Sequence, residues 1–194
     1  SNENPKKHSP VETPLPQPGN PSNAQVQAIL KHLQDTAGHA LCLGVKIETL
    51  DGLLKETNLR IVAVGADETA VDSLRRRYQA AGLYGHRISV HHHDDPTQFP
   101  APPHFANLVI VEGEATKDIT PQKLSSVYQS TRPYGGILCL YSKLSPLNHD
   151  TKALPKAVVL EKSPNALIVK KEGALPDTAD WSHQYGDAGQ SVVS

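Results

Sequence analysis

The chain has 194 residues, a formal net charge of −1, 38% hydrophobic residues and 20% charged ones, the balance of one globular domain with flanking segments. Its lysines and arginines are scattered apart from Arg75-Arg76-Arg77, so no broad basic field is present to hold a phosphate backbone, and nucleic acid is not an expected partner. No apolar run approaches the ~20 residues that cross a bilayer, and the start Ser1-Asn2-Glu3-Asn4-Pro5 lacks a signal-peptide hydrophobic region, so no membrane insertion by this segment is expected.

In chain order, residues 1–20 carry Pro5, Pro10, Pro14, Pro16 and Pro18 with almost no apolar content. Such a stretch buries too little surface to offset the entropy of ordering and reads as a disordered linker. The chain contains no methionine, which suggests a piece of a longer protein and leaves its compartment open. Ser22-Asn23-Ala24-Gln25 has a capping-box pattern. Val26, Ile29, Leu30 and Leu33 follow at helical spacing, and Gly38 reads as the stop of a helix of about four turns.

Ala40–Val45 is a short continuous apolar run, as expected of a strand buried on both faces. Leu50, Leu53 and Leu54 share a helical face up to Asn58, and Leu59–Val64 then reads as a second strand ending at Gly65. Asp67 can cap a third helix, whose core face is Val71, Leu74, Tyr78 and Ala81 and whose end falls at Gly82 or Gly85. Arg87–His93 and Ala106–Val111 are the third and fourth strands, separated by Asp94-Asp95-Pro96 and a proline-rich loop.

Thr120-Pro121 places a cap and a first-turn proline before Leu124, Val127 and Tyr128, and Pro133-Tyr134-Gly135-Gly136 turns that helix into a fifth strand, Ile137–Tyr141. Ala157–Lys162 and Ala166–Lys170 flank a three-residue turn that joins antiparallel neighbours. Strands alternating with helices and then a hairpin predict a three-layer α/β/α sandwich, a Rossmann-like, mostly parallel sheet over residues 21–173. Ligands of such sheets sit beyond the carboxyl ends of the strands, near the point where strand order reverses.

Element order, the terminal hairpin and Arg132-Pro133-Tyr134-Gly135-Gly136 before the fifth strand resemble the class I S-adenosylmethionine-dependent methyltransferases over residues 38–172. The resemblance implies S-adenosylmethionine as cofactor. It places cofactor-binding positions at Gly44 after strand one, at the end of strand two with Asp67 as the nearby carboxylate, at Asp94 or Asp95 after strand three, and at Glu112 after strand four, with Glu114 close by. The departures from that family are specific. Of its three loop glycines only Gly44 is matched, the other two falling on Lys46 and Glu48, and Gly65 stands where an acidic residue meets the ribose.

Those departures predict a degenerate domain that has lost its cofactor and serves as a structural or interaction module. Lys46, Ile47 and Glu48 would then fill the cleft. The alternative is an active transferase, with Asp95 and Asp67 on the nucleoside, Glu112 near an acceptor of unknown class and a vacant cleft above strands one and four; no catalytic residue is assigned.

The segment Asp180–Gly189 resembles the entry to the first blade of quinoprotein-like (PQQ-type) β-propellers. It implies that residues 174–194 lead toward a propeller domain of the same, bacterial, multidomain protein, in a periplasmic setting where S-adenosylmethionine is not expected.

Other patterns have plainer readings. Of His91-His92-His93 only His91 and His93 share a strand face, so a metal site there is not expected. Ser142, Ser145 and His149 follow strand five without a nucleophile elbow, which gives a hydrolase no support. Tyr134 and Trp181 read as packing aromatics, and Cys42 and Cys139 as small buried hydrophobes in strands.

Overall fold

The computed structural model describes residues 24–117, 119–142 and 151–174. Strands β1 (Ala37–Leu43), β2 (Asn58–Gly65), β3 (Ile88–His92), β4 (Leu108–Glu112) and β5 (Ile137–Tyr141) run parallel. The hairpin of β6 (Ala157–Lys162) and β7 (Ala166–Lys171) joins antiparallel through β7, giving the order β3-β2-β1-β4-β5-β7-β6. This is the mostly parallel Rossmann-like sheet with a C-terminal hairpin that the sequence predicts. Strand order reverses between β1 and β4, so the loops leaving their carboxyl ends diverge and open a crevice there.

Alternation along each strand divides the core between two faces. On one, α1 (Ala24–His32), α2 (Ile47–Glu56) and α3 (Glu68–Ala80) bury Ile29, Leu50, Leu53, Val71 and Tyr78 against Ala40, Cys42, Ile61 and Ile110. On the other, α4 (Pro121–Gln129) buries Leu124, Val127 and Tyr128 against Leu41, Leu43, Val109 and Leu138. The β3-to-β4 crossover carries a 3₁₀ turn at Pro96–Gln98 and no α-helix. Phe99, Ala101 and Phe105 of that loop pack over the second face in place of one.

Several helix ends follow the sequence signals directly. Asp67 accepts hydrogen bonds from the N–H groups of Thr69 and Ala70 at 2.8 and 3.2 Å and so caps α3. At its other end Gly82 takes φ +69°, the Leu83 N–H donates to the Tyr78 carbonyl at 2.9 Å, and the Gly82 N–H donates to Gln79 at 3.0 Å, a Schellman termination. Thr120 accepts from the Lys123 N–H at 3.3 Å, with Pro121 as the first residue of α4.

Two expectations are corrected. The first helix is shorter than four turns, with α1 ending at His32, and Gly38 lies inside β1 rather than stopping a helix. Gly38 has φ +105°, and a Cβ there would stand 2.3 Å from Asn107 Oδ1. That space is needed because Asn107 Oδ1 accepts from the His39 N–H at 3.2 Å while its amide donates to Asp35 at 3.3 Å. The fourth strand runs on to Glu112, so this carboxylate stands at the end of the strand itself and not in the loop beyond.

Cys42 and Cys139 are free and buried. Both align with Ile110 across β4, which puts two strand spacings, about 9.5 Å, between them, beyond the reach of a disulfide. Burial pushes both thiols up from their usual range, as befits inert core residues.

Lys171 at the end of β7 is 4% exposed. Its ammonium donates to the Thr131 and Tyr128 carbonyls at 3.0 and 3.4 Å, lies 4.6 Å above the Tyr128 ring and contacts His104 Nδ1 at 3.4 Å. It therefore caps the carboxyl end of α4 from across the hairpin, where a cation is favoured by the helix dipole. Burial lowers its pKa.

Replacing Lys171 with Met leaves the Thr131 carbonyl without the Lys171 donor, while the Tyr128 carbonyl keeps the Thr131 N–H at 3.0 Å, and is expected to lower unfolding free energy in urea by about 1–3 kcal/mol. Because the folded-state pKa lies below that of the unfolded chain, the unfolded chain binds more protons between the two values. Stability of the native protein relative to Lys171→Met is therefore expected to rise as pH climbs from the lowered folded-state pKa toward the ordinary lysine value of about 10.4.

Candidate functional site

The crevice at the carboxyl ends of β1 and β4 is shaped first by Gly44. Its φ is +87°, its N–H donates to the Val64 carbonyl at 2.9 Å, and a Cβ there would stand 2.0 Å from the Glu112 carbonyl oxygen. The left-handed turn and the close approach each require glycine. They press the β1–α2 loop directly onto the end of β4.

Glu112 is wholly buried at this junction. Its Oε2 accepts from Gln25 Nε2 at 2.8 Å and from the Thr49 hydroxyl at 3.1 Å, and it pairs with the Lys46 ammonium at 3.5 Å. Its Oε1 is buried without a hydrogen-bond partner. Burial raises the Glu112 pKa, only partly opposed by Gln25, Lys46 and Thr49. The donors come from α1, the β1–α2 loop and α2, so one carboxylate ties three segments to β4.

Lys46 has 35% of its side chain exposed and reaches from the rim of the crevice to Glu112, its Cε 3.7 Å from where a Gly113 Cβ would lie. Ile47 and Glu48, expected to turn inward beside it, are exposed. Helix α2 begins at Ile47, and its periodicity turns Thr49 and Leu50 inward instead.

The remaining carboxylates nearby are spread along the sheet edge. At the end of β2, a Cβ on Gly65 would meet Val45 Cγ2 at 2.7 Å and Val71 Cγ2 at 3.1 Å, so the position expected to be acidic has no room for a side chain. Asp67 is exposed and caps α3. Asp94 has 98% of its side chain exposed and lies 3.8 Å from His92 Nε2.

Asp95 caps the turn at Pro96. It accepts from the Thr97 N–H and hydroxyl at 3.0 and 2.6 Å and from Gln98 Nε2 at 2.8 Å, and pairs with Lys123 at 2.7 Å. Partial burial opposes its charge, but the bonds from Lys123, Thr97 and Gln98 outweigh that and hold the carboxyl well below its usual range. Glu114 is exposed and pairs with Lys117.

The structure thus brings Gly44 and Glu112 into contact, adds Lys46, Thr49 and Gln25, leaves Asp67 and Asp95 engaged elsewhere, and leaves Asp94 exposed to solvent. Gln25, Thr49 and Tyr141 were not legible as site residues in the sequence. Gln25 reads as part of a helix start, and nothing local links it to a residue 87 positions away. Tyr141 aligns with Glu112 across β4 and β5, and its hydroxyl is also buried without a partner.

His91 in β3 and His93 just past its end both rest against Phe99, with ring centroids 5.5 and 6.2 Å away. Among the described residues no group of three or more His, Cys, Asp or Glu is placed to hold a metal ion. No helix there is long and apolar enough to cross a membrane. Ser145, His149 and the segment Asp180–Gly189 with Trp181 lie outside the described residues. Tyr134 is 67% exposed rather than packed. A cavity of about 210 Å³ opens between the proline loop and α4, lined by Leu41, Leu43, Phe99 and Val127, below the size usual for a cofactor site.

No protein-family model and no curated protein sequence matches the chain. Solved structures do. A Methanococcus maripaludis protein assigned by its name to the S-adenosyl-L-methionine-dependent methyltransferases superposes with a TM-score of 0.63 at 12% identity, covering 79% of this chain and 86% of that one. Geranyl diphosphate C-methyltransferase from Streptomyces coelicolor, solved with S-adenosyl-L-homocysteine, gives 0.52 at 14% identity over 61% of this chain and 43% of that one. A protein from Galdieria sulphuraria, named for sarcosine and dimethylglycine methylation, gives 0.53 at 14% identity over 67% and 48%. The chain therefore has the fold of the class I methyltransferases and spans less than half the length of the last two.

Gly44→Ala is expected to cost about 1–3 kcal/mol in backbone strain alone, with the overlap on Glu112 added, read as a lowered midpoint of thermal unfolding. Carbon-detected titration of the side-chain carboxyls is expected to place Glu112 above the ordinary glutamate value of about 4.3, and higher still in Lys46→Ala. With the folded-state pKa raised, the native state holds the extra proton between the two values. The Glu112 contribution is therefore fully present below about pH 4 and is lost as pH rises through the folded pKa.

Proposed function

We propose that this chain is a degenerate S-adenosylmethionine-dependent methyltransferase-like domain, a structural or interaction module of a larger protein. The observation that carries the reading is the Lys46–Glu112 contact. A lysine at a loop position where the methyltransferases have glycine sends its side chain across the β1–β4 crevice to a buried carboxylate. Cofactor binding there would have to displace that ion pair and leave Glu112 buried with its charge less compensated.

Further support comes from the other cofactor positions. Gly65 has no room for the ribose-binding carboxylate, Asp67 is committed to a helix cap, and both oxygens of Asp95 are engaged by Thr97, Gln98 and Lys123. The resemblance of Asp180–Gly189 to a propeller entry suggests the larger setting, with a propeller-like domain as the neighbour of this one.

Calorimetric titration with S-adenosylmethionine and S-adenosylhomocysteine tests the reading. The expected result is no heat and no thermal shift up to millimolar ligand, above a Kd of about 1 mM. Micromolar binding would instead overturn the degenerate reading, favour the active-transferase alternative and open a search for its acceptor.

A further inference from the structure

Two polar atoms at the carboxyl edge of the sheet are buried with no hydrogen-bond partner: Glu112 Oε1 and the Tyr141 hydroxyl. Their residues are aligned across β4 and β5, the last pair of that ladder. Aligned residues of parallel strands project from the same face, and Tyr141 packs on the core that α1 and α2 cover, the side from which Gln25 and Thr49 reach Glu112. Buried polar atoms are almost always satisfied, and two orphans on aligned residues of one sheet face point to a missing partner that both could share.

The chemistry of the pair restricts that partner. A carboxylate oxygen accepts only, while a phenol can accept as well as donate. A group with at least two N–H or O–H donors satisfies both atoms. Burial disfavours the Glu112 charge, so a cationic donor is favoured over a neutral one. The protein already supplies a precedent in Lys46, an alkylammonium held at the other oxygen of this carboxylate. Its partly exposed side chain marks the direction of entry from solvent.

We propose that Glu112 and Tyr141 form a binding site for a primary ammonium group, for which Lys46 is the internal competitor. The ammonium donates one hydrogen bond to Glu112 Oε1 and one to the Tyr141 oxygen, and its substituent leaves the crevice along the Lys46 side chain. This deepens the reading of the crevice as closed to the cofactor, and names what a domain that no longer binds a nucleoside retains.

The test is titration of the whole chain with methylammonium chloride, followed through the Glu112 carboxyl and Tyr141 ring resonances. It is run at about pH 8.5, where amine and carboxylate are both charged. Tetramethylammonium serves as the control of equal charge without N–H donors.

Saturable shifts at both residues with methylammonium and none with tetramethylammonium are expected. Lys46→Ala should tighten binding about tenfold, Glu112→Gln should weaken it at least about tenfold, and Tyr141→Phe should weaken it several-fold while leaving the carboxylate in place. No shift in wild type or Lys46→Ala up to about 100 mM methylammonium would overturn the proposal and leave a bridging water between the two atoms. Equal response to tetramethylammonium would overturn it too, reducing the effect to charge screening. A negative cofactor titration with a positive methylammonium titration upholds both readings; the reverse pattern refutes both, and the remaining two separate them.

Discussion

The carboxylate of Glu112 is the constraint around which this end of the molecule is organised. A charged group with no solvent exposure is tolerable only if donors are brought to it. Here they come from three separate segments: Gln25 on α1, Lys46 in the loop after β1, and Thr49 in the first turn of α2. Each of those contacts fixes a long-range relation that hydrophobic packing leaves looser, since apolar contacts are not directional. The burial of Glu112 follows from its place in β4, whose five residues are all buried.

The close approach of Gly44 to the Glu112 backbone serves the same junction. It allows the β1–α2 loop to come down onto β4 so that Lys46 can reach across. The neighbouring Val45 takes the space beside Gly65. Loop position, lysine reach and the missing ribose carboxylate are therefore one packing arrangement and not three independent losses. At the far edge of the sheet Lys171 plays a comparable part, a buried cation that joins the hairpin to the end of α4. Polar contacts of this kind select one packing among several of similar apolar area.

The carboxyl edges of β2 and β3 are organised differently. Asp67 and Asp95 both act as caps and satisfy backbone N–H groups within three residues of themselves. Carboxylates spent on local backbone donors have little capacity for a ligand, and Asp95 has Lys123 in addition. The crevice is thus polar at its centre, around Glu112, and self-satisfied along its flank.

Much of the fold was legible in the sequence because its signals are local. Apolar runs marked the strands, Asp67 and Thr120 marked helix starts, Gly82 marked a helix end, and a three-residue turn fixed the antiparallel hairpin. Gly38 misled because a glycine demanded by the Asn107 side chain, 69 residues on, looks the same as one that stops a helix. The sequence by itself determined the order of elements, the parallel sheet and the mismatched loop after β1, since each depends on residues close together along the chain. Only the tertiary structure decided that Lys46 turns inward while Ile47 and Glu48 do not, that Gln25 and Thr49 meet Glu112, and that Tyr141 stands beside it. Those relations arise from strand register and helix docking, and no short window of sequence contains them.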